Sequence, residues 1–408
     1  MESNGEETGR RAGFAQGMTV VIAAFLPILA IISLFPAVPA MIDHFSSDPA
    51  AQWKVPSMVT APGLTIAIIS LFAGMLVDRF GRRKLLLVAT FFYGIFGVAP
   101  FFLESLNAVY GSRLLLGLSE AAILTTLNTL IADYWDERGR RTWLTVQGMA
   151  GPALSSVVLF FAGTLVEWRW NAIFLIYLVA FPIFVAMWRW MFEPKSDATA
   201  RRMLGIGEEG ITASGFPWPV MFGIGAVTLF SSFLYYVFII NGGLVWKELG
   251  VSNPEQIGQI TALPSLFILA GAILFWLLGR WGVGSRGMIV TFLAILGAGL
   301  TIIGLAQDWR GMILGMTIQQ TGAGMAIPVL IAWASKLLPF DHRGKGMGVW
   351  TACFFFGQFS SPLLVGLIRG MVGSMQGAFV VAGIIAVAGA GIAWLVLSLV
   401  RETKSEAA

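Results

Sequence analysis

The sequence predicts an all-α polytopic membrane protein with 12 transmembrane helices in two pseudo-symmetric six-helix bundles. Three observations carry this reading. Hydrophobic residues make up 57% of the 408-residue chain and charged residues 12%, half the share of about a quarter that a soluble domain carries. Apolar runs of about twenty residues alternate with short charged clusters. At roughly 34 residues for a span and its loop, 408 residues accommodate 12 spans. The two halves also repeat short motifs at a fixed offset.

The same composition excludes several function classes. A net charge of +4 is too small and too scattered for a nucleic-acid surface. The single cysteine, Cys353, lies in an apolar run and cannot close an intramolecular disulfide. His44 and His342 are expected at opposite membrane faces, which excludes a shared metal. Gly205-Ile206-Gly207-Glu208-Glu209-Gly210 fits a dinucleotide fingerprint in letters only, because no strand precedes it. No phosphate-binding loop occurs, so ATP-driven transport is not expected; with the low charge share and these signals failing on context, neither an enzyme nor a bound cofactor is expected.

The apolar runs lie at approximately 17–41, 55–77, 85–104, 109–132, 142–166, 171–192, 217–246, 255–279, 287–306, 311–338, 346–369 and 377–400, with ends good to about four residues. Each must be a helix, because lipid satisfies no backbone polar group. Arg10 and Arg11 ahead of the first run imitate a signal peptide. The stretch Met18 to Met41 is longer than a signal core of about 7–15 residues, so it reads as a membrane helix. Pro36 and Pro39 are expected to kink it. The 48 glycines suit close helix contacts in lipid.

Lys and Arg set the orientation. With the N-terminus in the cytoplasm, 20 of the 26 basic residues fall on that side, leaving Lys54, Arg113, Arg169, Lys247, Arg310 and Arg369 elsewhere. This is a strong positive-inside pattern, and it puts both termini of a multi-pass plasma (inner) membrane protein in the cytoplasm. The longest polar stretch, Glu193–Gly215, divides the chain into bundles at 1–192 and 216–408 joined by a cytoplasmic loop at 193–215. At an offset of 205 residues, Asp136-Glu137-Arg138-Gly139-Arg140 matches Asp341-His342-Arg343-Gly344-Lys345, and Gly117 matches Gly322. Repeated halves around a midplane site are a transporter pattern.

Between the second and third runs stands Gly74-Met75-Leu76-Val77-Asp78-Arg79-Phe80-Gly81-Arg82-Arg83-Lys84. This loop resembles the G-x-L-a-D-r-x-G-r-k signature of the major facilitator superfamily. A degenerate copy, Arg280-Trp281-Gly282 with Arg286, follows the eighth run. The resemblance implies a conformational latch of Gly74, Asp78, Arg79, Gly81, Arg82, Arg83 and Asp133. In it the glycines let helices two and eleven approach, and Asp78 faces the positive N-terminal end of helix eleven. Asp133 would pair with Arg82 or Arg83 and release as the halves rock. Arg113-Leu114-Leu115-Leu116-Gly117 in helix four is similar to a second superfamily motif implicated in proton transfer, with Leu116 at a position usually held by Gln. Gly148-Met149-Ala150-Gly151-Pro152 in helix five resembles the antiporter motif of drug:proton exchangers, although Leu154 and Ser155 replace its glycine pair. Trp168-Arg169-Trp170-Asn171 at the start of helix six is similar to the same exporters.

Two charges fall at least four residues inside a predicted span, Arg113 and Glu120, each costing roughly 2.5–3.5 kcal/mol on insertion scales. Seven residues place them on one face of helix four, about 10.5 Å apart along its axis. Glu120 leans toward Arg113 while Arg113 leans away, which favours a bridged contact over a direct one. Burial disfavours a charged carboxylate and a nearby cation favours it, a balance suited to loading and unloading a proton. Gln147, Tyr235, Tyr236, Asn241, Gln319, Gln320 and Gln358 are further intramembrane polar side chains and the candidates for substrate binding. The expected function is a monomeric, proton-coupled secondary transporter exporting a small amphipathic molecule. The alternative is a proton symporter importing an organic anion or sugar. A channel or receptor is the rival class, but no repeated filter loop and no sensory domain is visible.

Overall fold

The computed structural model describes residues 12–72, 80–194, 216–339 and 342–399. Among these there are helices and no strands. The first apolar run forms α1, in consecutive segments Phe14–Ala24, Leu26–Ile32 and Ala37–His44. Then come α2 (Ala51–Ser70), α3 (Arg82–Val98, ending in a 3-10 turn Ala99–Phe102), α4 (Leu106–Tyr134) and α5 (Glu137–Trp168). The sixth run forms α6, a 3-10 segment Ala172–Val179 continued by Ala180–Trp190. The second half holds α7 (Trp218–Glu248), α8 (Pro254–Ser265 and Ile268–Arg280) and α9 (Ser285–Leu305). It closes with α10 (Trp309–Leu337), α11 (Arg343–Val372) and α12 (Met375–Leu399).

Each apolar run is therefore helical over most of its described length, and ten of the helices are long and apolar enough to cross a membrane on composition alone. The other two, α2 and α10, carry Gln52 and Lys54 or Gln319 and Gln320 within the helix, which lowers their mean hydropathy. Both pack against helices of the bundles: α2 on α4 and α11, α10 on α8 and α9. A helix shielded by protein needs a less apolar surface than one facing lipid.

Pro36 does more than kink α1. It lacks an N–H, and its ring excludes a normal turn with the carbonyl four residues back. The backbone tightens there: Leu34 N–H bonds to Ile31 O at 3.2 Å and Phe35 N–H to Ile32 O at 3.2 Å. The ladder thus passes over the Ala30 carbonyl.

The halves meet along two seams, α2 against α11 and α5 against α8, with α1 touching α7 between them. Small residues permit these approaches. A Cβ on Gly163 in α5 would overlap the Pro254 carbonyl of α8, so a larger side chain cannot stand there unless the helices separate. We call the end that holds Arg82 and Arg83 the basic face and the opposite end the far face. Across the far face Lys247 Nζ pairs with Asp43 at 2.6 Å, and Arg369 Nη1 donates to Gln52 Oε1 at 2.9 Å. Asn253 Nδ2 donates to Glu167 Oε1 at 3.1 Å and Thr164 Oγ1 to Glu255 Oε1 at 3.3 Å. Each of these contacts joins one half to the other.

Candidate functional site: a cavity between the halves and a buried charged cluster

A cavity of 430 Å³ lies between the bundles. α1, α4 and α5 supply its first wall, and α7, α8, α10 and α11 the second. Its surface is mostly aliphatic and aromatic, with Phe35 and Ile28 on one side and Phe238, Phe354 and Phe355 on the other. The polar side chains in it are neutral: Gln147 and Ser155 from α5, Tyr235 and Tyr236 from α7, Thr261 and Ser265 from α8, and Gln320 from α10. Tyr235 and Tyr236 are stacked edge to face at 4.9 Å, and both rings contact Phe354. A site of this character suits an apolar ligand oriented by a few hydrogen bonds.

Four of the seven predicted polar residues thus line the cavity: Gln147, Tyr235, Tyr236 and Gln320. Asn241 lines a different cavity, at the far face. Gln319 and Gln358 line neither. Both are fully buried with amide atoms that have no hydrogen-bond partner among the described residues. Gln358 stands in the α2–α11 seam, where a Cβ on Gly63 would come within 3.1 Å of its carboxamide.

Arg113 is fully buried. Its guanidinium donates to Tyr177 Oη at 2.6 Å and to the Ala30 carbonyl at 2.9 Å, while Tyr177 Oη donates to the same carbonyl at 3.0 Å. The break in α1 therefore supplies the acceptor, and α6 supplies the phenol. Tyr93 of α3 belongs to the same cluster, its ring 5.5 Å from that of Tyr177 and its hydroxyl donating to Leu26 O at 2.6 Å. Sequence reasoning missed Tyr93, Tyr177 and the Ala30 carbonyl. A phenol in an apolar run carries no distinguishing signal, and a freed carbonyl is invisible until the kink is placed.

Glu120 is 1% exposed, and its Oε1 has no hydrogen-bond partner among the described residues. Among the described residues Glu120 and Arg113 form no salt bridge; the guanidinium is turned to Tyr177 and Ala30, and its Nε has no partner there. Glu120 lies within electrostatic reach of Arg113, Tyr93, Tyr177 and, across the halves, Tyr236. Leu124, one turn further along α4, lines the cavity.

At the basic face, Gly74, Asp78 and Arg79 lie outside the described residues. Arg82 Nε pairs with Asp133 Oδ2 at 3.3 Å, joining α3 to α4. Arg83 instead donates to Met191 O at 2.8 Å and Trp188 O at 2.9 Å at the end of α6. Gly81 does not stand between α2 and α11. It has φ +78° at the start of α3, where the Glu193 carboxylate accepts from Arg82 N–H at 2.7 Å and Arg83 N–H at 2.8 Å. Glu193, which sequence reasoning also missed, caps the positive end of α3. These described contacts lie within the first half, apart from Glu193, the first residue of the 193–215 stretch, and none reaches the second half.

The model of the Major Facilitator Superfamily matches residues 20–282 and 221–408. The chain belongs to this superfamily. It is 26% identical to the 3-(3-hydroxy-phenyl)propionate transporter of Escherichia coli (strain K12) over 324 residues, 75% of this chain and 76% of that protein. It is also 26% identical to Multidrug resistance protein D of the same organism over 315 residues, 74% and 77% of the two chains. Its fold matches an inward-facing, occupied bacterial homolog of the human lysosomal transporter Spinster, with a TM-score of 0.77 at 13% identity, covering 96% and 98% of the chains. This major facilitator is a multi-pass membrane transport protein, not an enzyme, and it acts on small molecules.

Proposed function

We propose that this major facilitator exports a small amphipathic molecule by alternating access of the central cavity, coupled to protons through Glu120. The observation that carries the reading is a cavity with walls from both halves, apolar and aromatic, with neutral hydrogen-bonding groups, beside a buried carboxylate that forms no salt bridge among the described residues. An unpaired buried charge costs several kcal/mol, so a proton or a cationic ligand is the natural counterpart of Glu120. Gly151 and Pro152, from the antiporter-like run in α5, line the same cavity, which supports export. The resemblance to Multidrug resistance protein D points the same way.

Import of an organic anion is the second reading, favoured by the resemblance to a 3-(3-hydroxy-phenyl)propionate transporter. It would need a cation at the substrate, and Arg113 is turned toward α1 and α6. The remaining elements of the proposal are the division at 193–215, both termini in the cytoplasm of a plasma (inner) membrane, a monomer, and Asp78 as the latch between halves. The test is transport in proteoliposomes, using the first aromatic amphiphile that raises the unfolding temperature of the purified chain. An imposed pH gradient should drive its movement without ATP, and a protonophore should abolish it. Movement indifferent to the pH gradient would remove the coupling.

A further inference from the structure

α7 separates two cavities. Tyr235 and Tyr236 face the central one, while Asn241, roughly 120–140° away from both round the helix, lines a second of 660 Å³ between α2, α7, α11 and the start of α12 at the far face. The second cavity has a different chemistry. Trp53, Leu363 and Leu367 make it apolar, but one cation, Arg369, stands in its wall and no carboxylate does.

The guanidinium uses one of its five N–H donors on Gln52. Among the described residues it has no acidic partner. Position in the last turn of α11 gives it a favourable interaction with the helix dipole, which accounts for the charge but leaves the other donors free. Asn241 is 1% exposed, and its Nδ2 donates to Val237 O at 3.1 Å, leaving a second N–H without a partner among the described residues. The carboxylate of Glu248 is engaged elsewhere, accepting from Met375 N–H at 2.7 Å and Gln376 N–H at 2.8 Å at the start of α12. The space is also open on its glycine side: a Cβ on Gly366 or Gly370 would meet nothing within 4 Å.

We propose that this far-face cavity binds an anionic amphiphile, with Arg369 and Asn241 holding a carboxylate or phosphate head and Trp53, Leu363 and Leu367 covering its apolar body. A guanidinium provides directional, charge-assisted bonds to either head group, and Trp at a helix end suits the membrane interface. The same chemistry belongs to a soluble organic acid and to an anionic lipid.

The test uses the full chain in nanodiscs of phosphatidylcholine, titrated calorimetrically with 4-phenylbutyrate and its neutral amide. The wild type should bind the acid at least tenfold more tightly than the amide. Arg369→Gln should erase that preference. Gly370→Leu, whose side chain enters open space, should remove acid binding without lowering the unfolding temperature, and Tyr236→Ala in the central cavity should leave it unchanged. Replacing a third of the phosphatidylcholine by phosphatidylglycerol separates the sources: tenfold weaker acid binding in the wild type alone identifies a lipid occupant, and no change identifies a soluble acid. Equal affinity for acid and amide in the wild type overturns the proposal. So does acid binding that survives both Arg369→Gln and Gly370→Leu but is lost in Tyr236→Ala.

Discussion

Arg113 and Tyr177 share one acceptor, the Ala30 carbonyl, at 2.9 and 3.0 Å, and bond to each other at 2.6 Å. A charge within a predicted span is thus held by two neutral oxygens rather than by a carboxylate. This separates the two members of the charged pair on α4. Arg113 ties α4 to α1 and α6, and Glu120 remains available.

Tyr177→Phe should therefore act on stability. It leaves a fully buried guanidinium short of one acceptor, at a cost of about 1–3 kcal/mol. Thermal unfolding in detergent measures it, and an unchanged midpoint would mean the phenol bond contributes nothing. Arg113→Ala should be less stable still, yet ligand binding at pH 5–8 should persist. Binding lost across that whole range would favour the organic-anion reading.

Gly81→Ala tests the start of α3. A φ of +78° with ψ of 152° is a backbone region essentially confined to glycine and costs a residue with a Cβ roughly 1–3 kcal/mol, and the added carbon would stand 3.2 Å from Glu193 Oε1. Glu193→Gln, which keeps the shape of the cap but not its charge, should lose less. The two midpoints, measured side by side, should fall in that order.

Gly163→Val tests the far-face closure. Its side chain would occupy the place of the Pro254 carbonyl, holding α5 and α8 apart. In right-side-out vesicles, with Cys353→Ser as background, Ser155→Cys should react slowly with an impermeant maleimide added outside and several-fold faster when Gly163→Val is added. Equal rates would show that this seam does not control access from outside.

The helices were legible because lipid leaves the backbone one solution, so the apolar runs found them even where Gly and Phe are dense. Arg113, Glu120, Gln147 and Tyr236 were legible for the same reason, as polar groups where polarity is expensive. Facing was not legible. Gln320 lines the central cavity while its neighbour Gln319 does not, and Asn241 faces away from Tyr235 on the same helix. A composition reading of a helix polar on several sides cannot assign those directions. Glu193 was missed because a carboxylate just past a helix end looks like ordinary surface charge until its acceptor geometry is seen.

Asp78→Asn tests the latch implied by the signature loop. Expression should stay near normal while turnover falls sharply, measured as initial rates in vesicles at matched protein density. Unchanged transport would remove the latch role.

The central claim is that Glu120 carries the coupled proton, and Glu120→Gln tests it most directly. The variant and the wild type are reconstituted in liposomes, and accumulation of a stabilising amphiphile is followed under an imposed pH gradient and without one. Glu120→Gln should bind the compound with wild-type affinity, lose the pH dependence of that binding, and fail to accumulate it against a concentration gradient. Accumulation by the variant, driven by the pH gradient as in the wild type, would contradict the account.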